Sequence, residues 1–356
     1  MSSINEQPIT PDSLPRRLTW FEQNPKKTIL GIIVVIGVVS DLLIGSLTLP
    51  GNPNEPHHYY HHGLKSNFKG KVTWGDNKSL MYTDSLGFKD SSNRKVDLRT
   101  NKKRILIMGD SFTEGVGMPY EKTFTGLASA KVDSNTYEII NAGASSFSTK
   151  LYYLRTKYLL EVEKMSFNEL YVYVDISDIV DDVTYESFQP QDKPTRESIM
   201  RQVDSWFATH SIIYRYSRAA IVRYFPTSHY YEERSLWTVD EAMYKKWGEP
   251  GIPLSLRNME QLYQLTQQHG IKMHVAVYPW PAQIKNKDLD SKQVQIWKQF
   301  AKEKNINFIN YFPDFISEDK PVEEITQKYF IPGDGHWNEA GHEVIADKLI
   351  TNINRQ

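Results

Sequence analysis

The 356-residue sequence contains no cysteine, which excludes disulfides, thiolate metal sites and a cysteine nucleophile together. That absence suits a periplasmic or surface protein without identifying a compartment. An excess of one charge is also lacking. Lys and Arg number 42 against 43 Asp and Glu, and a net charge of −1 gives no electrostatic reason to expect nucleic acid. Neither GxGxxG nor GxxxxGK[ST] occurs, so nucleotide binding has no support. No internal repeat or low-complexity tract is visible, and only one stretch is apolar for long enough to cross a bilayer.

That stretch is Thr28 to Pro50. Arg16, Arg17, Lys26 and Lys27 precede it, and the positive-inside rule then puts the N-terminus in the cytoplasm. Asp41 interrupts the run; a mid-membrane charge costs about 2.5–3.5 kcal/mol, which the remaining Ile, Val and Leu offset. Asp41 is expected as a tolerated polar residue near the outer half, with contact to a partner helix as the alternative. No small-residue cleavage site follows, so the segment reads as an uncleaved anchor. Residues 1–27, polar and holding Pro8, Pro11, Pro15 and Pro25, read as a disordered cytoplasmic tail. The bulk of the chain then faces away from the cytoplasm.

Residues 51–101 read as a stem. Within it, His57, His58, His61 and His62 lack the spacing of a formed metal site and have no carboxylates beside them; Tyr and His next to a span mark the interface instead. Trp74 to Asp90 alternates weakly and predicts a small strand pair.

From residue 102 the pattern becomes strand, helix, strand. Arg104 to Met108 is a short apolar run of the length of a buried parallel strand, and it stops at Gly109-Asp110-Ser111. Open α/β sheets place ligands at that carboxyl edge, and a serine on a tight turn there exposes its hydroxyl. Tyr120–Lys131 and Thr149–Lys164 are expected helices, and Tyr137–Asn141 and Leu170–Val174 strands. Three strand ends, at Ser111, Gly143 and Asp175–Asp178, thereby fall on one edge. Gly143 lets its backbone N–H approach a developing oxyanion. Asp175, Asp178, Asp181 and Asp182 read as a solvated loop and helix start rather than a divalent-ion cluster. Residues 183–250 break the pattern as an insertion, with one helix expected over Ile199–Tyr224 and an aromatic, charged stretch to Trp247. It is of the kind that shapes substrate access, or forms a membrane-facing or oligomer surface. Regularity returns with helix Leu256–His269, strand Lys272–Tyr278 ending at Pro279-Trp280-Pro281, helix Ser291–Glu303 and strand Ile306–Tyr311. The expected fold class is α/β, a three-layer, mostly parallel sheet flanked by helices, with one N-terminal transmembrane helix.

Near the C-terminus lies Pro332-Gly-Asp-Gly-His-Trp-Asn338, just before a final amphipathic helix. His336 in such a loop is well placed as an exposed base. Asp334 stands two residues earlier, and positions i and i+2 of an extended loop face the same side. A carboxylate there orients the imidazole and stabilises its protonated form.

The Gly109-Asp-Ser111 turn, Gly143 in Asn141-Ala-Gly-Ala-Ser145, and the late Asp334/His336 pair together resemble the SGNH/GDSL hydrolases. The resemblance covers roughly residue 103 to the end, with a gap in the middle. It implies Ser111 as nucleophile, His336 as base and Asp334 as its orienting acid. Two departures stand out. The family spaces its Asp and His three apart, where this chain has Gly333, and its third block supplies an Asn to the oxyanion hole where this chain has Ser177. A serine hydroxyl is also a donor. The implied oxyanion hole is Ser111 N–H, Gly143 N–H and Ser177. The implied activity is ester hydrolysis without cofactor or metal, on acylated carbohydrate or a small ester. Cell-envelope polysaccharide is the expected substrate, given an external, membrane-tethered placement. O-acyl transfer to a glycan hydroxyl uses the same residues, and a non-catalytic glycan-binding protein on this scaffold is the competing class. The 21 Tyr and 8 Trp suit either carbohydrate-facing surfaces or large cores.

Overall fold

The computed structural model describes residues 17–224, 233–317 and 320–355. The chain divides into two units, Met1–Leu49 with Phe207–Ala219, and Pro50–Trp206 with Ala220–Gln356.

In the smaller unit a short helix, α1 (Trp20–Gln23), opens on a capping box between Thr19 and Glu22. Part of the expected tail is therefore helical. The rest of it, residues 1–16, lies outside the described residues. Helix α2 (Pro25–Thr48) starts three residues before the expected anchor, because proline suits a first helical position. It stops at Leu49, which Pro50 holds extended at ψ 143°. Ile32, Ile33, Val35 and Ile36 are all more than half exposed. Asp41 is not an isolated polar residue. Its carboxylate accepts the Ser211 hydroxyl at 2.5 Å and the Ile213 N–H at 3.1 Å. Two helices, α7 (Arg196–His210) and α8 (Ile212–Tyr224), meet at Ser211. The single helix expected over 199–224 is thus broken where Ser211 accepts the Tyr214 N–H as a cap.

Among the described residues the larger unit holds ten strands: β1 (Asn54–His57), β2 (His61–Leu64), β3 (Lys69–Trp74), β4 (Asn77–Thr83), β5 (Lys89–Asp90), β6 (Lys103–Met108), β7 (Tyr137–Asn141), β8 (Glu169–Val174), β9 (Lys272–Val277) and β10 (Asn307–Asn310). β1 and β2 form a hairpin, and the others one sheet in the order β10-β9-β8-β6-β7-β5-β4-β3. The five strands from β7 to β10 in that row are parallel, with Ile105 of β6 opposite Ile139 on one side and Glu169 on the other. Ile105, Leu106, Ile107 and Met108 are fully buried, as a parallel strand covered on both faces requires.

Numbered along the chain, the parallel strands run 2-1-3-4-5, so their order reverses at β6. Right-handed crossovers then place helix α4 (Phe124–Lys131) on one face. Helices α5 (Thr149–Lys157) and α9 (Glu249–Gln268) take the other. α9 packs on α5 and on α6 (Asp178–Tyr185), and the last helix, Glu339–Asn354, packs on α4. This is the expected three-layer α/β architecture. The reversal opens a crevice at the carboxyl end of β6, where Ser111 follows.

The stretch expected as a stem adds three antiparallel strands to the sheet edge: β3 pairs β4, β4 pairs β5, and β5 meets β7 through Lys89 and Asn141. Its histidines pack within the fold. His57 stacks on Tyr60 with centroids 3.6 Å apart, and His62 Nε2–H donates to the Ser145 carbonyl at 2.8 Å. Burial pushes the imidazoles of His57 and His61 down to about 3 and that of His62 to about 4, so all three are neutral at pH 7.

Leu106→Ala in the fully buried central strand should cost about 2–5 kcal/mol. Urea unfolding should show a lowered midpoint at unchanged slope, and an unshifted midpoint would contradict this placement of the core.

Candidate active site

Ser111 is the first residue of a one-turn helix, α3 (Ser111–Glu114), that begins as β6 ends. Asp110 caps this helix, its Oδ1 accepting the Phe112 N–H at 2.9 Å. His336 arrives from 225 residues away. Its loop is pinned by an Ile331 N–H bond to the His336 carbonyl at 2.9 Å and by a bridge between Phe330 and Trp337. Asn338 then caps the final helix.

The structure brings the three expected residues into one hydrogen-bonded chain. Ser111 Oγ lies 2.8 Å from His336 Nε2, and His336 Nδ1 lies 2.5 Å from Asp334 Oδ1. Asp334 Oδ1 also accepts the backbone N–H of His336 at 2.8 Å, which the two-residue spacing permits. With Nδ1–H given to the carboxylate, Nε2 is left to accept the Ser111 hydroxyl proton. Asp334 Oδ2 takes the indole N–H of Trp74 at 2.9 Å. Burial alone would raise the Asp334 carboxyl, but the hydrogen bonds and charge of His336, helped by Trp74, hold it down at about 2. The Phe112 ring lies 4.6 Å from the imidazole, which is thereby fixed on its flank.

A small enclosure of about 40 Å³ sits over Ser111 and His336, walled by Trp74, Ser145, Ser146, Ser177, Arg234 and Trp280. Ser177 therefore lines the same enclosure as Ser111. Its hydroxyl oxygen accepts Arg234 Nη2 at 3.0 Å, which leaves its own hydrogen to donate. Arg234 also pairs with Asp181. The Ser111 N–H has no partner among the described residues. Gly143 differs from the expectation. It does not line the enclosure, and its N–H donates to Asn141 Oδ1 at 3.1 Å. Its lack of a side chain serves close packing instead, since a Cβ would stand 2.5 Å from the Glu114 nitrogen. Ser146, one of the enclosing residues, holds a left-handed backbone at φ 62°.

The acidic residues after β8 are not a solvated loop. Asp175, Asp178, Asp181 and Asp182 are all buried, each within a hydrogen-bond network. Asp175 accepts the Trp280 indole N–H at 2.7 Å and the Ser177 N–H at 2.7 Å, so it positions two walls of the enclosure. Asp178 accepts the Tyr152 hydroxyl, and Asp182 accepts those of Thr149 and Ser255. Burial pushes Asp181 up to about 7 despite Arg234, and burial together with the nearby Asp175 raises Asp110 and Asp178 well above the usual carboxylate range. Among the described residues no group of three or more acidic or histidine side chains is arranged to hold a metal ion.

A larger groove of about 860 Å³ adjoins the enclosure, sharing Trp280 and running past Lys285, Gln327 and Asp334. Trp74 and Arg234 carried no local signal in the sequence. One lies in an edge strand and the other in the insertion, and only the tertiary fold brings them to Ser111.

Trp74→Phe removes a donor from Asp334, so the carboxyl should rise from about 2, read by carbon-13 NMR titration. Asp334 titrates below its unfolded value of 3.8, so it stabilises the fold above that pH and the benefit is lost as pH falls through about 2. The variant should retain less of it. An unmoved titration would show that the indole contact does not matter.

No protein-family model matches the sequence, and no curated protein matches it. Among solved structures, similarity is found to a GDSL-like lipase from Bacteroides thetaiotaomicron, 15% identical, covering 73% of this chain and 92% of that one with a TM-score of 0.40. An acetylxylan esterase from Geobacillus stearothermophilus is 14% identical over 72% of this chain and 96% of that one, again with a TM-score of 0.40. A psychrotrophic esterase from Pseudoalteromonas is 13% identical over 71% and 98%, with a TM-score of 0.38.

Proposed function

We propose that this chain is a membrane-anchored serine esterase that removes short acyl groups, above all acetyl, from cell-envelope polysaccharide outside the cytoplasm. The observation that carries the reading is the chain of hydrogen bonds from Ser111 through His336 to Asp334. Ser111 Oγ attacks the ester carbonyl carbon as His336 Nε2 takes its proton, and Asp334 stabilises the imidazolium. The developing oxyanion is met by the Ser111 N–H and the Ser177 hydroxyl, with Arg234 holding the latter in place. Collapse expels the alcohol, which leaves with the proton from His336. Water then attacks the acyl-enzyme, giving its proton to His336, and Ser111 is released with the carboxylic acid.

The enclosure of about 40 Å³ supports a short acyl group. The adjoining groove of about 860 Å³ suits the polysaccharide that carries the ester. The same groove favours a second outcome, in which a glycan hydroxyl replaces water and the enzyme is an O-acyltransferase. The anchor rests on α2, whose 24 residues have a mean hydropathy of 2.5 over their most apolar window. At about 1.5 Å per residue such a helix exceeds the ~30 Å hydrocarbon core. Residues 1–27 lie in the cytoplasm and 28–50 span the membrane in this reading.

With the full chain in detergent and p-nitrophenyl acetate as substrate, Ser111→Ala and His336→Ala should each lose at least about 10⁴-fold in kcat. Ser177→Ala should lose about 10²–10³-fold if its hydroxyl meets the oxyanion. A wild-type chain without turnover, but with glycan affinity that survives Ser111→Ala, would replace this account with the binding one.

A further inference from the structure

The catalytic reading gives Asp41 no task, although it is the one charged side chain between Thr28 and Thr48 of α2. Its carboxylate closes the N-terminus of α8, taking the Ser211 hydroxyl and the Ile213 N–H. One turn further on, Gly45 leaves α2 bare where the His210 carbonyl sits, and any Cβ would collide with it. The segment Phe207–Ala219 is therefore fixed on α2 between Asp41 and Gly45. Asp41 stands seven residues before Thr48 and Gly45 three. At 1.5 Å per residue these levels lie roughly 5–10 Å inward from the outer end of α2, the depth at which interfacial helices bury their apolar side.

The exposed side chains of this segment fit that depth. Ile213 and Tyr216 are 67% and 66% exposed, and Phe207 is 38% exposed. Arg215 and Arg218 are on the same helix, and aromatic and basic residues together are the composition of a membrane boundary. An apolar cleft of about 520 Å³, lined by Val34, Val38, Phe207, Ile213 and Tyr214, makes this surface continuous with that of α2. On the proposed reading of α2 as a membrane anchor, we infer that Phe207–Ala219 is a second membrane element, lying in the outer boundary of the bilayer. Phe207, Ile213 and Tyr216 enter the acyl-chain region, and Arg215 and Arg218 meet anionic headgroups. Asp41 then carries no uncompensated charge in the hydrocarbon, because a helix N-terminus and a hydroxyl satisfy it.

The cysteine-free chain permits a direct test. Single variants Tyr216→Cys, Ile36→Cys and Glu323→Cys carry a nitroxide label on the full chain in phosphatidylcholine–phosphatidylglycerol vesicles. Accessibility to oxygen and to a water-soluble nickel chelate is compared. The oxygen-to-nickel ratio at 216 should exceed that at the exposed residue 323 several-fold and approach that at 36. A ratio at 216 equal to that at 323, with 36 in hydrocarbon, overturns the inference while leaving the anchor intact. Poor access of both reagents to 216 means that protein, such as a second copy, covers it, and also overturns it. A water-exposed label at 36 removes the anchor reading and this inference together.

Discussion

The bond between His336 and Asp334 is the constraint on which the site depends. An imidazole in a loop has two tautomers and a freely turning ring, and neither is useful to Ser111 until one nitrogen is committed. Asp334 commits Nδ1 by accepting it at 2.5 Å, and the same oxygen holds the His336 backbone N–H. The carboxylate can do this only while ionised, and the hydrogen bonds converging on it keep it so. Everything else in the fold delivers this pair to one place. The strand order reverses at β6 and opens a crevice there, and the last helix closes over α4 to bring its preceding loop to the crevice.

Around that pair, buried carboxylates organise the walls rather than the chemistry. Asp175 fixes Trp280 and Ser177, Asp110 caps the helix that begins at Ser111, and Asp181 holds Arg234. Several of them titrate high because burial disfavours their charge, and closely spaced acids raise each other further. Two tryptophans line the enclosure, each tied through its indole N–H to an acid.

Much of this was legible in the sequence where the signal is local. The apolar run ending at Gly109-Asp-Ser111, the strand–helix alternation and the Asp334-x-His336 spacing each depend on neighbours a few residues apart. The rest was hidden because it depends on distant pairings. Asp41 read as a tolerated charge, since nothing near it in sequence shows that Ser211 and Ile213 will meet it. Residues 51–101 read as a stem with a small strand pair, because local alternation cannot specify that these strands join the edge of the main sheet. Trp74 was invisible as a site residue for the same reason. The four acids after β8 looked solvated because acidic residues usually are, but distant residues cover them: Trp280 bonds Asp175, Arg234 pairs with Asp181, and Ser255 of α9 bonds Asp182. Gly143 was expected to offer its N–H to substrate, but the side chain of Asn141, two residues earlier, takes it.

The central claim is that Ser111 is a nucleophile activated by His336. Intact-mass and peptide mass spectrometry of the full chain after treatment with a fluorophosphonate tests it most directly. A single adduct mapped to Ser111, formed by the wild type and absent in His336→Ala, is the predicted result. No adduct in the wild type, or an adduct that persists when His336 is removed, would contradict it.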